Sequence, residues 1–476
     1  MKLRQTLSGL ALLTMIGAAS VCAQAQNSNS SGQGGGYNQR PAPAARGVSP
    51  GVDPLPNDPS QVTPDANTLS GAQMFGVGSL EHARNIFDPM LSFSELGQTY
   101  PPNPGLPNQS NLLSQTLLGG GFNFDRTWTR YHFTAIYNGG ETLTRGAQYL
   151  NAQFHDANVM QEIAWARWRL LLRDDFVASP GASFTGTGMG GPGLTAQIGS
   201  SLESSLNSIG QAFVPSESIQ TGNAMRYTNA AIGQLSYSFS RRSAFTFAGS
   251  YGLLKFTQSG YFSSHMVTGQ AGYDFMLDPS DSIALLASYG KIDYTGSSNS
   301  TTNYLAALAF GRKITGRMAF QVVAGPEQIQ FVNGTTGKLW YPSVSSLLTY
   351  DWRRASYSIS FMRGLNSGSG VFLGAKSNIL TLAAHRQFTR SWVGAINSGY
   401  AINESLAPTG QPTVRFDNWF VGGNLGRQLG PHLQLNFNYG VQRQNSPAVC
   451  PVASCGVNGF EQTFGVTVNW HLRRNG

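Results

Sequence analysis

The ten residues Leu433-Gln-Leu-Asn-Phe-Asn-Tyr-Gly-Val-Gln442 decide the fold class. Leu433, Leu435, Phe437, Tyr439 and Val441 take every second position, and Gln434, Asn436, Asn438, Gly440 and Gln442 take the rest. Successive side chains of a strand point to opposite faces, so the segment reads as a strand with one apolar and one wet side. The same alternation sets Phe245, Phe247, Tyr251 and Leu253 against Thr246, Ala248, Ser250 and Gly252. It sets Tyr357, Ile359 and Phe361 against Ser356, Ser358 and Ser360. At the end of the chain, Phe464, Val466, Val468, Trp470 and Leu472 face away from Gly465, Thr467, Asn469 and His471.

Outward from these stretches, short breaks recur near Arg242, Pro279, Thr315, Arg353, Arg390 and Gly430, at intervals of 36 to 40 residues. Earlier ones lie near Arg126 and Ala166. Longer and more variable connections alternate with them, such as 333–340, 404–415 and 445–458. Short turns at one end and long loops at the other mark a transmembrane barrel. Strand counting from Leu112 to Leu472 finds 17 candidates, and the stretch Asn85–Leu96 supplies the partner that an even number needs. The expected fold is all-β: a closed antiparallel barrel of 18 strands, with 16 as the alternative. Trp128, Trp168, Trp352, Trp392 and Tyr439 are expected near strand ends, as an aromatic girdle.

Composition fits such a wall. Only 11% of the 476 residues are charged, and 57 are Gly. A soluble enzyme of this length carries about twice that charged fraction. A helical membrane protein shows apolar runs of roughly 20 residues, and none follows the first 25 residues. That first segment (1–25) reads as a secretory signal: Lys2 and Arg4, an apolar core from Leu10 to Ala19, then small residues at Ala23-Gln-Ala25. Residues 26–84 are rich in Gln, Asn, Ser, Gly and Pro without apolar period, which reads as a disordered tail. The barrel is expected over 85–476. Cys450 and Cys455 lie in a turn-rich stretch of an exported chain, so a disulfide is expected there.

The leader, the tail and the long alternating region together resemble the porin-like outer-membrane β-barrel proteins of Gram-negative bacteria. The stretches Arg169-Leu-Leu-Leu-Arg-Asp-Asp-Phe176, Ser250-Tyr-Gly-Leu-Leu-Lys-Phe256 and Tyr304–Thr315 carry the likeness. Many such barrels end on an aromatic residue, whereas here Trp470 is followed by His-Leu-Arg-Arg-Asn-Gly. The resemblance implies an outer-membrane location and no catalytic residues. It implies also that the third outer loop, as in porins, folds into the channel. That loop spans 179–223, and Leu194, Ile198, Leu202, Leu206 and Ile209 recur in it at helical spacing. The bland alternative is a lid over the mouth.

Candidate pore-lining residues follow from strand parity. Arg169, Leu171, Arg173 and Asp175 share one face, and Arg130 and His132 lie on a nearby strand. Inward charged rings set ion preference in pores. The plainer reading is that Arg173 and Asp175 pair with each other. His155-Asp156 is placed in an outer loop, and His265 and His385 are candidates for the lumen. Gly119-Gly120-Gly121 lacks the following Lys-Ser/Thr of a phosphate loop and reads as a place where a strand bends. The pattern calls for no enzyme, cofactor, metal or nucleic acid. The function expected is passive diffusion of small hydrophilic solutes, with a non-transporting surface barrel (adhesion, structure or anchoring) as the alternative. Expected partners are outer-membrane lipid, lipopolysaccharide and small polar solutes. A homo-oligomer is compatible with all of this.

Overall fold

The computed structural model describes residues 86–99, 112–145, 151–180, 225–240, 242–257, 260–278, 280–295, 299–332, 337–352, 354–366, 370–389, 391–406, 413–430, 432–445 and 459–471. Every element among them is a strand. In chain order these are β1 (Ile86–Thr99), β2 (Leu112–Thr127), β3 (Tyr131–Arg145), β4 (Ala152–Ala164), β5 (Trp168–Pro180) and β6 (Met225–Ser238). Next come β7 (Ser243–Phe256), β8 (Ser264–Met276), β9 (Asp281–Tyr294), β10 (Ser300–Thr315), β11 (Met318–Val332) and β12 (Lys338–Trp352). The last six are β13 (Ala355–Asn366), β14 (Ala375–Gln387), β15 (Trp392–Ser405), β16 (Arg415–Gln428), β17 (Leu433–Asn445) and β18 (Gly459–His471).

Each strand pairs antiparallel with its neighbours in sequence, and β1 pairs with β18 from Met90↔His471 to Thr99↔Gln462. The sheet therefore has no free edge, which is what allows strands to span lipid. The closing seam is also stitched by side chains: the Ser94 and Thr467 hydroxyls are 2.7 Å apart, and the Gln98 amide donates to Glu461. The expected count of 18 holds. The leader, the tail, the 179–223 loop beyond Pro180 and the two cysteines lie outside the described residues.

Parity sorts the wall as the alternation demands. On β7, Phe245, Phe247 and Tyr251 are exposed, whereas Thr246, Ala248, Ser250 and Gly252 are buried. The exposed face around the ring is apolar, with Phe93, Leu118, Leu285, Leu308, Ile359, Ile396, Val421 and Phe464 among its members. The enclosed face is the lumen. Much of it is polar: β13 contributes Ser358 and Ser360, β15 Asn397, and β17 Asn436 and Gln442. One arc departs from the expectation. Met160, Leu171, Ile232, Leu286 and Val323 form an apolar cluster on the lumen side of β4–β11. The cause is legible: Leu170-Leu-Leu172, Leu285-Leu286 and Val322-Val323 break the alternation, so both faces become apolar.

Short turns close one end of the barrel. Trp128 N–H donates to Tyr131 O at 2.7 Å, and Trp165 N–H to Trp168 O at 2.8 Å. Asp278 Oδ1 accepts from the backbone N–H groups of Ser280 and Asp281 at 2.7 and 2.8 Å, a side-chain-stabilised turn. Aromatics gather at this end, and arginines stack on them: Arg126 over Trp128, Arg386 over Phe388 and Arg427 over Trp392, at 4.6–5.6 Å. Tyr439 is not at a strand end. It stands mid-strand on β17, on the exposed face.

The triple glycine of β2 lies against Gly139 and Gly140 of β3. A Cβ at Gly121 would collide with the carbonyl oxygen of Tyr137, and one at Gly140 with that of Leu118. The two backbones approach so closely that only glycine fits.

Candidate functional site: the lumen and its loop-end mouth

The candidate lumen residues fall on four strands and one turn. His132 is buried on β3 and faces Glu162 across the β3–β4 register. Arg169, Arg173 and Asp175 share the lumen face of β5 with Leu171. Arg130 is exposed in the turn before β3 rather than on a strand. His155 and Asp156 lie within β4, not in a loop: Asp156 takes the lumen face and His155 the outer one, 3.0 Å from the Tyr137 hydroxyl. His385 has lumen parity on β14, whereas His265 faces outward, 3.4 Å from Asp293.

The charged side chains are engaged with one another. Arg169 Nε lies 2.7 Å from Glu162, and Arg173 Nε lies 2.7 Å from Asp175, whose carboxylate also accepts from the Asn158 amide. Near the turns, His471 Nδ1 is 2.7 Å from Asp88 and His132 Nε2 is 3.3 Å from Asp125. The Thr134 hydroxyl meets that same Nε2 at 3.3 Å. A nucleophile and its orienting acid sit on opposite nitrogens of the histidine in a hydrolytic triad; here both groups share one nitrogen. Toward the loop end, Glu327 accepts from Tyr341 Oη at 2.6 Å and Asn303 Nδ2 at 2.7 Å. It borders a bay of about 70 Å³ along β8–β13, lined by Met266, Leu286, Ile292, Val323 and Met362 on its apolar side.

The loop end also holds a feature that the sequence reading missed. Between β13 and β14, Gly370-Val-Phe-Leu-Gly374 folds inward as a strap. Val371 and Phe372 are 3% and 8% exposed, and Phe372 meets Phe416 of β16 edge-on at 5.2 Å. On the other side, Phe262 N–H donates to Gly370 O at 2.8 Å, and Leu373 packs with Met266, Ile292 and Tyr294. Leu406 N–H donates to Gly374 O at 3.1 Å. The strap thus ties β7–β9 to β15 and β16, across strands that are not neighbours in the ring. Gly370 and Gly374 have φ of 75° and 90°, a region that side chains disfavour, and a Cβ at Gly370 would strike the Phe256 ring. The available signal was an apolar tripeptide between glycines in a Gly/Ser-rich outer loop.

No family model matches the chain, and no curated protein matches it. Among solved structures it is similar to OccAB3 of Acinetobacter baumannii, with 9% identity over 82% of this chain and 100% of that one, at a TM-score of 0.41. It is similar to the outer membrane protein opdK of Pseudomonas aeruginosa, with 10% identity over 81% and 98% and a TM-score of 0.40. OccK2 (OpdF) of Pseudomonas aeruginosa, solved in complex with glucuronate, gives 11%, 81%, 98% and 0.39. Closure, an exposed apolar belt and a polar lumen make the architecture that of a bacterial outer-membrane β-barrel.

Proposed function

We propose that the chain is a passive outer-membrane channel for small hydrophilic solutes, rather than an enzyme. One observation carries the reading: a closed ring of 18 strands turns its apolar face outward and a face rich in Ser, Thr, Asn and Gln inward. About 18 strands enclose more space than their own side chains fill. We place two constrictions in that space. One is the Gly370–Gly374 strap at the loop-end mouth. The other is the 179–223 loop between β5 and β6, whose sequence carries its own apolar stripe. The short turns face the periplasm in this reading. The outer face meets lipid and, at the loop end, lipopolysaccharide.

The test is single-channel recording from refolded protein in a planar bilayer. Discrete conductance steps are expected, and deletion of Gly191–Gln211 should enlarge them. If the intact chain passes no current and the deletion opens none, the channel reading fails and a surface barrel for adhesion or anchoring replaces it.

A further inference from the structure

Asp174 sets one arc of the outer face apart. Arg169, Leu171, Arg173 and Asp175 take the lumen side of β5, so Asp174 points outward with Leu170, Leu172 and Phe176. It is the central residue of the thirteen in β5. Other outward charges gather toward the rims: Arg126, Arg386 and Arg427 near the turns, and Arg145, Lys255 and Arg443 near the loops. Among the described strands, Asp174 is the outward ionisable residue farthest from either strand end. The Asn229 amide of β6 donates to its carboxylate at 2.7 Å. The same amide reaches Asp175 O only at 3.4 Å, outside the usual N–H···O range of about 2.7–3.2 Å. One amide proton is thus weakly held, and the carboxylate has acceptor capacity to spare. Hydrocarbon offers neither group a hydrogen bond, and ionisable side chains inside a membrane almost always pair.

The surface beside this pair is bare. Gly233, Gly249 and Gly269 stand in register on the outer face of β6, β7 and β8, and Gly233 lies opposite Leu172 of β5. A Cβ would come no closer than 3.6 Å to another atom at Gly233 and 3.7 Å at Gly249, and would meet nothing within 4 Å at Gly269. At Gly121 and Gly140 a backbone carbonyl forbids any side chain; here the chain's own packing leaves room for one. Glycine inside a strand weakens it and marks places where another backbone comes close. Small residues serve the same close approach between membrane-spanning elements.

We propose that two copies of this chain meet in the membrane through the outer faces of β5–β8, with Asp174 and Asn229 at the contact. Copies inserted in the same direction are related by an axis along the membrane normal, and such an axis keeps every residue at its own depth. A two-fold axis beside β5 and β6 therefore brings Asp174 of one copy level with Asn229 of the other. The weakly held amide proton of each copy then bonds the carboxylate of its partner. Donor and acceptor both stand on one patch, so the surface is self-complementary, as a two-fold contact requires. The bare glycine strip beside them lets the two walls close up. The contact does not depend on whether the barrel conducts.

Site-directed photo-cross-linking of the full chain, refolded into lipid vesicles, tests the proposal. The benzophenone side chain of p-benzoylphenylalanine replaces either Phe176, which faces outward opposite Asn229, or Leu382, exposed on β14 across the ring. Irradiation should give a band of twice the chain mass from position 176 and monomer alone from position 382. Dye-labelled wild-type chains in a planar bilayer should bleach in two steps. Two symmetric hydrogen bonds at about threefold each imply that Asp174→Leu raises the dissociation constant roughly tenfold. Gly269→Leu should lower the cross-link yield at 176 while the compact gel band is kept. If either variant fails to fold, the cross-link in the otherwise unaltered chain and the step count still decide. Single-step bleaching, three-step bleaching, no dimer band from position 176, or equal yields from both positions would each overturn the proposal, and none of them touches the channel reading.

Discussion

Replacing Phe372 by Ala tests whether the strap is a packed part of the mouth. Phe372 is 8% exposed, and its partner Phe416 is fully enclosed. Their rings meet at 5.2 Å and 69°, an edge-to-face pair. Removing a buried Phe costs about 3–5 kcal/mol in a packed core, and about 0.5–1.5 kcal/mol more belongs to such an aromatic pair. Two backbone hydrogen bonds, at Gly370 O and Gly374 O, still hold the strap, so the lower end of the range applies. About 3 kcal/mol shifts the closed-to-open balance by roughly a hundredfold. Protease cleavage within 366–374 of refolded protein should accelerate, and single-channel records should show longer or larger openings. Phe416→Ala should do the same, and the double variant should add little to either single change, because both remove one contact. Equal cleavage rates and unchanged records for wild type and both variants would refute a strap held by this pair.

Other outcomes follow from the wall. Leu308, 66% exposed at the middle of β10, faces lipid; Leu308→Arg should cost about 2–4 kcal/mol in urea unfolding from vesicles, and Ile314→Arg, on the same face near the turn, about 0–1 kcal/mol. Gly121→Ala forces a Cβ onto the Tyr137 carbonyl, so it should destabilise by about 1–3 kcal/mol, read as earlier loss of the compact gel band on heating. The hydrogen bond from the Ser280 hydroxyl, then that from its backbone N–H, holds Asp278 below the usual carboxylate pKa. Its folded value lies below its unfolded one, so its stabilisation is present above about pH 4 and is lost as pH falls further; Asp278→Asn should remove that part of the acid sensitivity of unfolding. Cys450 and Cys455 should give no free thiol in the unfolded, unreduced mature chain, and loss of their bridge should cost at most about 2–3 kcal/mol while the barrel still assembles.

Strands such as β7, β13, β17 and β18 were legible because a wall between lipid and water imposes a period of two on polarity. The loop end of β4 was not, since its lumen face carries Phe154, packed with Leu96 and Leu117, and its outer face carries His155. That inversion made His155-Asp156 read as loop. That Arg169 and Arg173 share one face of their strand was visible from parity, but their partners were not all so. Arg173 and Asp175 are two apart on one strand, and the pairing could be named; Glu162 comes from the neighbouring strand, and only the register brings it to Arg169. The strap was hidden for a related reason. Val371-Phe372-Leu373 is too short to show a period, and its partners come from the loop ends of distant strands.

The seam between β1 and β18 has a consequence in time. Ser94 and Thr467 touch across a sequence separation of 373 residues. Until the last strand is synthesised and delivered, every intermediate is an open sheet with an unpaired row of donors and acceptors along each of two edges. Such edges template pairing with other chains, and loop closure over this distance is slow compared with forming a hairpin. The nascent chain must therefore travel from the ribosome to its final compartment without its most protective contact. Its yield in the cell depends on whatever shields those edges during transit.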